Sequence, residues 1–362
     1  MNDKVKLKIL VCGVGFGQFY LKALERLKDE YELVGIFSRG SEISKRYAKK
    51  YKVPLLTDIS SISKNDVDVA CVVINSTLFG GKGSQIVEYF LKKGINVIQE
   101  QPVHIDDYIN FLKLAQLHKC KYKLNTFYPD LRIVDNLIKI VKKLNDYSEL
   151  RYITAECSVH VLFPLIDILG RALNGIKPWK FKKISDVKTD SPFCIVSGYI
   201  NDIPICINIQ NQIVSKNPDN YMLLLHRIGF TTNCGNLLMT GTNGVIIWEP
   251  CIEKQTNEEG KFDLEVQNEF SKLNTFEIVN KQENITFYDM MLGDWVNGLV
   301  SSVLEFKDEI IKEKEVGNND QYLIAVIQAC LIYPSDADDE RLCVNVGCSR
   351  IIKKQKFQKK HQ

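Results

Sequence analysis

No two cysteines in this 362-residue chain are spaced as CxxC, and no apolar run is long enough to cross a bilayer. The eleven cysteines are scattered, several inside apolar runs such as "VACVVI" and "ICINI". An odd number of dispersed thiols argues against a disulfide framework and for reduced, buried cysteines in a reducing compartment. The same dispersion leaves no zinc site, so no metal is expected. The apolar run in "MNDKVKLKILVCG" is about five residues, too short for a signal sequence, and a soluble cytoplasmic protein is the expectation. A formal net charge of only +3 gives no reason to expect nucleic acid as a partner. Internal repeats and low-complexity linkers are also missing. The basic end "IIKKQKFQKKHQ" reads as a solvated tail over 351–362.

What is present is an ordinary globular composition, 45% hydrophobic and 25% charged, in a chain long enough for two domains. Over residues 1–127, strand-like runs alternate with helical patterns: "KLKILVCG", "YELVGIFS", "VDVACVVIN", "NVIQE" and "KYKLNTF" are the strands. The nearly all-apolar "VDVACVVIN" is what a strand buried on both faces looks like. This alternation predicts a parallel, doubly wound Rossmann sheet and an α/β class. From 128 to 350 the strands come without long helices between them, interrupted by one helix at "PLIDILGRALNG". That pattern predicts a second α+β domain on an open, mostly antiparallel sheet, a face suited to a homodimer.

"VCGVGFGQFYL" follows the first strand and opens the first helix. Gly13 suits a tight turn, Gly15 lets backbone approach a pyrophosphate, and Phe16 and Gly17 lead into a helix N-terminus that favours anions. Glycine turns are common, but this strand–turn–helix context points to a dinucleotide. The second strand ends "FSRGS", with no carboxylate before Glu42 to take ribose hydroxyls. Ser38, Arg39 and Ser41 suit a 2′-phosphate instead, which predicts NADPH; a solvated Arg39 is the plainer alternative. Asn75 and Ser76, with Thr77, follow the strand "VDVACVVIN" at the carboxyl edge where ligands of such sheets bind. "FGGKGS" offers a second close backbone approach or a simple flexible loop.

The strand "NVIQE" ends at Glu100, and Glu100 and Gln101, just before Pro102, stand where a strand delivers side chains to a cofactor. With the glycine loop and the β-rich second half, this resembles the Gfo/Idh/MocA oxidoreductase family, whose members mostly carry Glu-Lys-Pro with lysine as acid/base. The phrases "GVGFGQFYLKAL", "GIFSRGSEIS", "VIQEQPVH", "NTFYP", "DILGRAL" and "NPDNYMLLLHRI" resemble its thiazolinyl imine reductase branch in siderophore biosynthesis. There the lysine position is commonly histidine, so Gln101 departs from both patterns. Reducing a C=N bond needs hydride at carbon and a proton at nitrogen, and a neutral amide cannot give up a proton. Gln101 can orient the ring. Tyr128, in "NTFYPD", is where the resemblance places an acid tyrosine; a phenol protonated at neutral pH suits that role, and packing at the domain joint is the alternative.

His104 is the rival acid, with helix capping as its plainer role. His226, alternating with leucines in "LLLHRIGF", and Asp167, in "PLIDIL", are candidate substrate contacts, while His160 in "CSVHVLF" reads as a packed strand residue. The resemblance implies NADPH-dependent reduction of a thiazoline to a thiazolidine on a carrier-protein-bound nonribosomal peptide intermediate. An NADP-dependent polyol dehydrogenase of the same fold, or a nucleotide-sensing regulator without catalysis, stand as alternatives.

Overall fold

The structure, a computed structural model, describes residues 5–74, 82–185, 191–210, 222–280, 284–312 and 317–330. Two compact units divide the chain: Met1–Arg132 with Ile285–Gln328, and Ile133–Asn284 with Ala329–Gln362.

The first unit opens with β1 (Leu7–Cys12), α1 (Gly17–Arg26), β2 (Tyr31–Phe37), α2 (Glu42–Tyr51) and β3 (Leu55–Leu56). It continues through β4 (Val69–Val72), α3 (Lys82–Lys92), β5 (Asn96–Glu100), α4 (Ile105–Leu117) and β6 (Tyr122–Asn125). The six strands pair in parallel in the order β3-β2-β1-β4-β5-β6. Every side chain of β4 is buried, as helices on both faces require. The order reverses between β1 and β4, the switch point where such sheets open a crevice at their carboxyl ends. α2 starts at Ser41, whose Oγ accepts from the Ser44 backbone N–H.

In the second unit, α5 (Arg132–Tyr147) buries Ile133, Val134, Leu137, Ile138 and Val141, one stripe at helical spacing. Then come β7 (Leu150–Ser158), α6 (Leu162–Ala172), β8 (Trp179–Ser185), β9 (Phe193–Ile200), β10 (Ile203–Gln210), β11 (His226–Thr232), β12 (Gly235–Met239), β13 (Ile246–Pro250) and β14 (Glu277–Ile278). They form one eight-stranded sheet, β14-β13-β12-β11-β7-β10-β9-β8, antiparallel except for the β7–β10 pair. The α/β architecture is thus the expected one: a Rossmann unit and a mostly antiparallel α+β unit.

The domain boundary differs from the sequence reading. α7 (Phe287–Met290), a π-helical turn (Met291–Trp295), α8 (Val296–Ile311) and α9 (Gly317–Cys330) follow the second sheet. The segment 285–328, expected within a 128–350 domain, belongs to the first unit. Its α8 buries Val296, Leu299, Val303 and Phe306. Tyr31 Oη donates to the Val303 carbonyl at 2.9 Å, and Lys307 Nζ, almost wholly buried, pairs with Glu30 at 2.8 Å. A buried ammonium is tolerated only with such a partner, so this pairing fixes α8 on the first sheet. The tail at 351–362 lies outside the described residues. Among the described residues, no helix is long and apolar enough to cross a membrane.

Candidate active site

The glycine loop has the geometry its sequence promised. Gly13 sits at φ +92, and a Cβ there would lie 2.6 Å from the Val73 carbonyl oxygen. Only glycine fits that turn. Gly15 is exposed, and a Cβ on it would meet nothing within 4 Å. Its backbone therefore borders open space just ahead of the α1 N-terminus, the end of a helix that favours an anion. Gly17 packs against Val11, and half-buried Phe16 stands at the start of the helix. At the end of β2, Ser38 Oγ accepts from the Gly40 N–H at 3.1 Å, while Arg39 extends into solvent. This set fits a dinucleotide: a cradle for the pyrophosphate and an exposed cation beyond the second strand. Asn75, Ser76 and Thr77, with the first part of "FGGKGS", lie outside the described residues.

A network unforeseen from sequence closes the carboxyl edge of β5 and β6. Glu100 and Asn125 are register partners on the two strands. Tyr20, on α1, donates to Glu100 Oε2 at 2.7 Å, and Asn125 Nδ2 donates to the same oxygen at 3.0 Å. Asn125 Nδ2 also donates to Tyr20 Oη at 2.7 Å, while its Oδ1 accepts from Ser302 Oγ at 2.9 Å and the Phe127 N–H at 3.3 Å. With both amide hydrogens and its oxygen engaged, Asn125 has one workable orientation. Burial pushes the Glu100 carboxyl up to about 8; the Tyr20 and Asn125 hydrogen bonds oppose this, and the Asp130 charge adds to it. Gln101 follows directly, half-buried, its backbone N–H donating to the Asn125 carbonyl at 3.2 Å.

Tyr128 is set by the turn before it. Phe127 adopts φ +62 and ψ −59, and the Tyr128 N–H donates to the Thr126 carbonyl at 2.7 Å. That is a γ-turn of the left-handed kind, rare and strained for a residue with a side chain. The strain is held by packing. Phe127 is buried among Phe16 (ring centroids 5.3 Å), Tyr128 (5.1 Å) and Trp295 (5.4 Å). Trp295 comes from the π-helical turn, a form common at functional sites. Among the described residues its indole Nε1 is buried without a hydrogen-bond partner. Burial, and next the Glu100 charge, push the Tyr128 phenol well above its ordinary pKa.

The remaining candidates take structural places. His104 caps α4: its Nδ1 accepts from the Asp106 N–H at 3.2 Å. A histidine so used holds a helix end through Nδ1, the plainer of the two roles its sequence position offered. In the second unit, His226 is wholly buried; Nε2 meets the Val161 carbonyl at 2.9 Å and Nδ1 meets Thr242 Oγ1 at 3.1 Å. Asp167 is also wholly buried and pairs with Arg171 Nε at 3.0 Å. Both side chains bind the unit's own interior, in place of the substrate contacts expected of them. His160 is half-buried, with Nδ1 3.0 Å from Ser158 Oγ. Among the described residues, no cluster of three or more His, Cys, Asp or Glu is arranged to hold a metal.

The sequence reading missed Tyr20, Asn125, Ser302 and Trp295. Asn125 left a faint signal, a polar residue ending an otherwise regular strand. Ser302 and Trp295 left none, because their approach depends on α8 returning to the first sheet.

Residues 7–126 match the oxidoreductase family Gfo/Idh/MocA, NAD-binding Rossmann fold. Residues 149–249 match the C-terminal domain described as thiazolinyl imine reductase Irp3-like. No curated protein matches the chain by sequence. Among solved structures, GenD2 from gentamicin A biosynthesis in complex with NAD superposes with TM-score 0.64 at 10% identity, covering 94% of this chain and 97% of its own. UDP-N-acetylglucosamine 3-dehydrogenase GnnA from Acidithiobacillus ferrooxidans gives TM-score 0.59 at 10% identity, covering 90% and 96%. An oxidoreductase from Agrobacterium radiobacter in complex with NAD+, L-tartaric acid and magnesium gives 0.63 at 10%, covering 90% and 95%. At these identities the likeness is one of fold.

Proposed function

We propose that this chain, which belongs to the Gfo/Idh/MocA oxidoreductases and carries an Irp3-like C-terminal domain, is an NADPH-dependent reductase of a thiazoline C=N bond. The product is a thiazolidine on a nonribosomal peptide intermediate, presented by a carrier protein during siderophore assembly. The match over residues 149–249 is the observation that carries this reading, because the domain it matches is described as that of a thiazolinyl imine reductase. The neighbours of sugar-dehydrogenase type share the fold, and fold alone does not transfer a substrate.

When bound, the reduced nicotinamide would supply hydride to the imine carbon. The chain's own residues do the rest. Gly13, Gly15 and the α1 N-terminus hold the pyrophosphate, and Arg39 with Ser38 takes the 2′-phosphate. The aromatic wall of Phe16, Phe127 and Trp295 excludes water beside the β5–β6 edge, which strengthens every polar contact made there. Gln101 stands where relatives keep a titrating lysine, so the residue before Pro102 orients the ring and exchanges no proton. Tyr128, buried and never ionised near neutral pH, hydrogen-bonds the ring nitrogen as its basicity rises.

The test is direct. Purified protein with NADPH and a synthetic thiazoline loses the reduced-nicotinamide absorbance and yields thiazolidine by mass spectrometry. Turnover of NADP with polyols, and none with thiazolines, would instead support the dehydrogenase reading.

A further inference from the structure

Gln101 leaves a vacancy in the chemistry: something must give nitrogen its proton. We infer that Glu100 is this chain's proton donor, its neutral carboxyl delivering the proton from Oε1 while Oε2 is held by Tyr20 and Asn125. This assignment rests on the imine-reductase reading above.

The geometry separates the two carboxyl oxygens. Oε2 accepts from Tyr20 Oη and from Asn125 Nδ2, so it is committed as an acceptor. Among the described residues Oε1 takes no hydrogen bond, and Glu100 keeps part of its surface open. A proton on this carboxyl therefore sits on Oε1, the oxygen directed away from the network. The residue also ends β5 next to Gln101, so it occupies the carboxyl edge of the sheet where substrate and nicotinamide meet in this fold.

Burial and the Asp130 charge favour the neutral form and outweigh the Tyr20 and Asn125 hydrogen bonds, which favour the carboxylate. Tyr20 faces Glu100 from α1, Cys71 from β4, and Tyr128 and Asp130 from the chain after β6. No cation is among them, and Asp130 repels a second negative charge. The carboxyl is pushed up to about 8, so it is mostly protonated at neutral pH and readily given up. An acid with a pKa near the working pH is the efficient choice for general acid catalysis. Tyr128, forced far from ionisation, is a poorer source by the same rule.

The step balances. As hydride bonds to the imine carbon, the C=N π pair moves onto nitrogen, the Oε1–H bond breaks and an N–H bond forms. Glu100 is left as a carboxylate, which the Tyr20 and Asn125 donors stabilise until solvent returns a proton. The substrate gains two electrons and NADPH loses two.

The test uses Glu100→Gln, which keeps the size and removes the acid. Wild-type turnover is expected to fall tenfold for each pH unit above about 8, and the variant to lose about 10²-fold in kcat with a flat profile. A readout independent of turnover is the infrared band of a protonated carboxyl in the cofactor-free protein. It titrates away near the same pH in wild type and is absent from the variant. If Glu100→Gln misfolds, the band in Tyr20→Phe, titrating at higher pH than wild type, carries the same information. A folded Glu100→Gln enzyme that retains wild-type rate and the same alkaline limb, or a carboxyl band lost at ordinary carboxylate pH, overturns the assignment alone. A wild-type enzyme inert towards every thiazoline sinks the reductase reading and this assignment together.

Discussion

Tyr20 Oη and Glu100 Oε2 lie 2.7 Å apart, eighty positions apart in sequence, with the phenol donating. The bond stabilises the carboxylate more than the acid, so it moderates how far burial raises Glu100. Tyr20→Phe should move the alkaline limb of the pH–rate profile upward by about one unit, the worth of one hydrogen bond to a charged group. Initial rates across the alkaline range measure it; an unmoved limb would mean that the observed titration belongs elsewhere.

Gly13 and Gly15 should respond oppositely to the same methyl group. Gly13→Ala forces a side chain against the Val73 carbonyl at positive φ and should destabilise the fold by roughly 1–3 kcal/mol. Gly15→Ala meets no protein atom, so the melting temperature should hold while dinucleotide affinity drops. Thermal melts paired with nicotinamide fluorescence titration separate the two effects.

Arg39 should decide the choice of dinucleotide. Arg39→Ala should weaken NADPH binding about tenfold or more, the loss of a charge-assisted contact, and leave NADH affinity nearly unchanged. Equal losses for both cofactors would remove the 2′-phosphate role.

Tyr128→Phe should lower kcat about tenfold, the cost of one lost hydrogen bond to the developing charge, while preserving the alkaline limb set by Glu100. Disappearance of that limb in this variant would return the proton to the phenol.

His226 makes the second unit acid-sensitive. With Nε2–H donating to the Val161 carbonyl, Nδ1 is left to accept from the Thr242 hydroxyl, so the buried ring is neutral. Burial pushes its pKa from the ordinary 6.5 down to about 4, and the unfolded chain takes up the proton first. Stability is therefore complete above 6.5 and declines as pH falls towards 4, by about 3 kcal/mol in total. Denaturant midpoints across this window should show the slope, and His226→Gln should flatten it.

Local patterns were legible. "VCGVGFG" required a tight βα turn, and Gly13 at positive φ with Gly15 facing open space are what that spacing demands. Ser41, a residue type that favours helix starts and directly precedes the helical run, caps α2. Side-chain partners were less legible than backbone turns. His226 alternates with leucines and looked like a site residue, yet Val161 and Thr242 reach it from other elements and satisfy it internally. Asp167 was similarly absorbed, here by Arg171 one turn along α6. His104 caps α4, the plainer of the two roles its place after Pro102 offered.

The order of residues alone determined the two sheet types, the dinucleotide turn and the absence of a lysine before Pro102, since each depends on neighbours a few positions away. Folding in three dimensions decided the rest. The return of 285–328 to the first sheet brings Ser302 to Asn125 and Trp295 to Phe127. Burial, outweighing the hydrogen bonds from Tyr20 and Asn125, turns Glu100 from an ordinary carboxylate into an acid that holds its proton at neutral pH, because a charge withdrawn from water costs more than a neutral group.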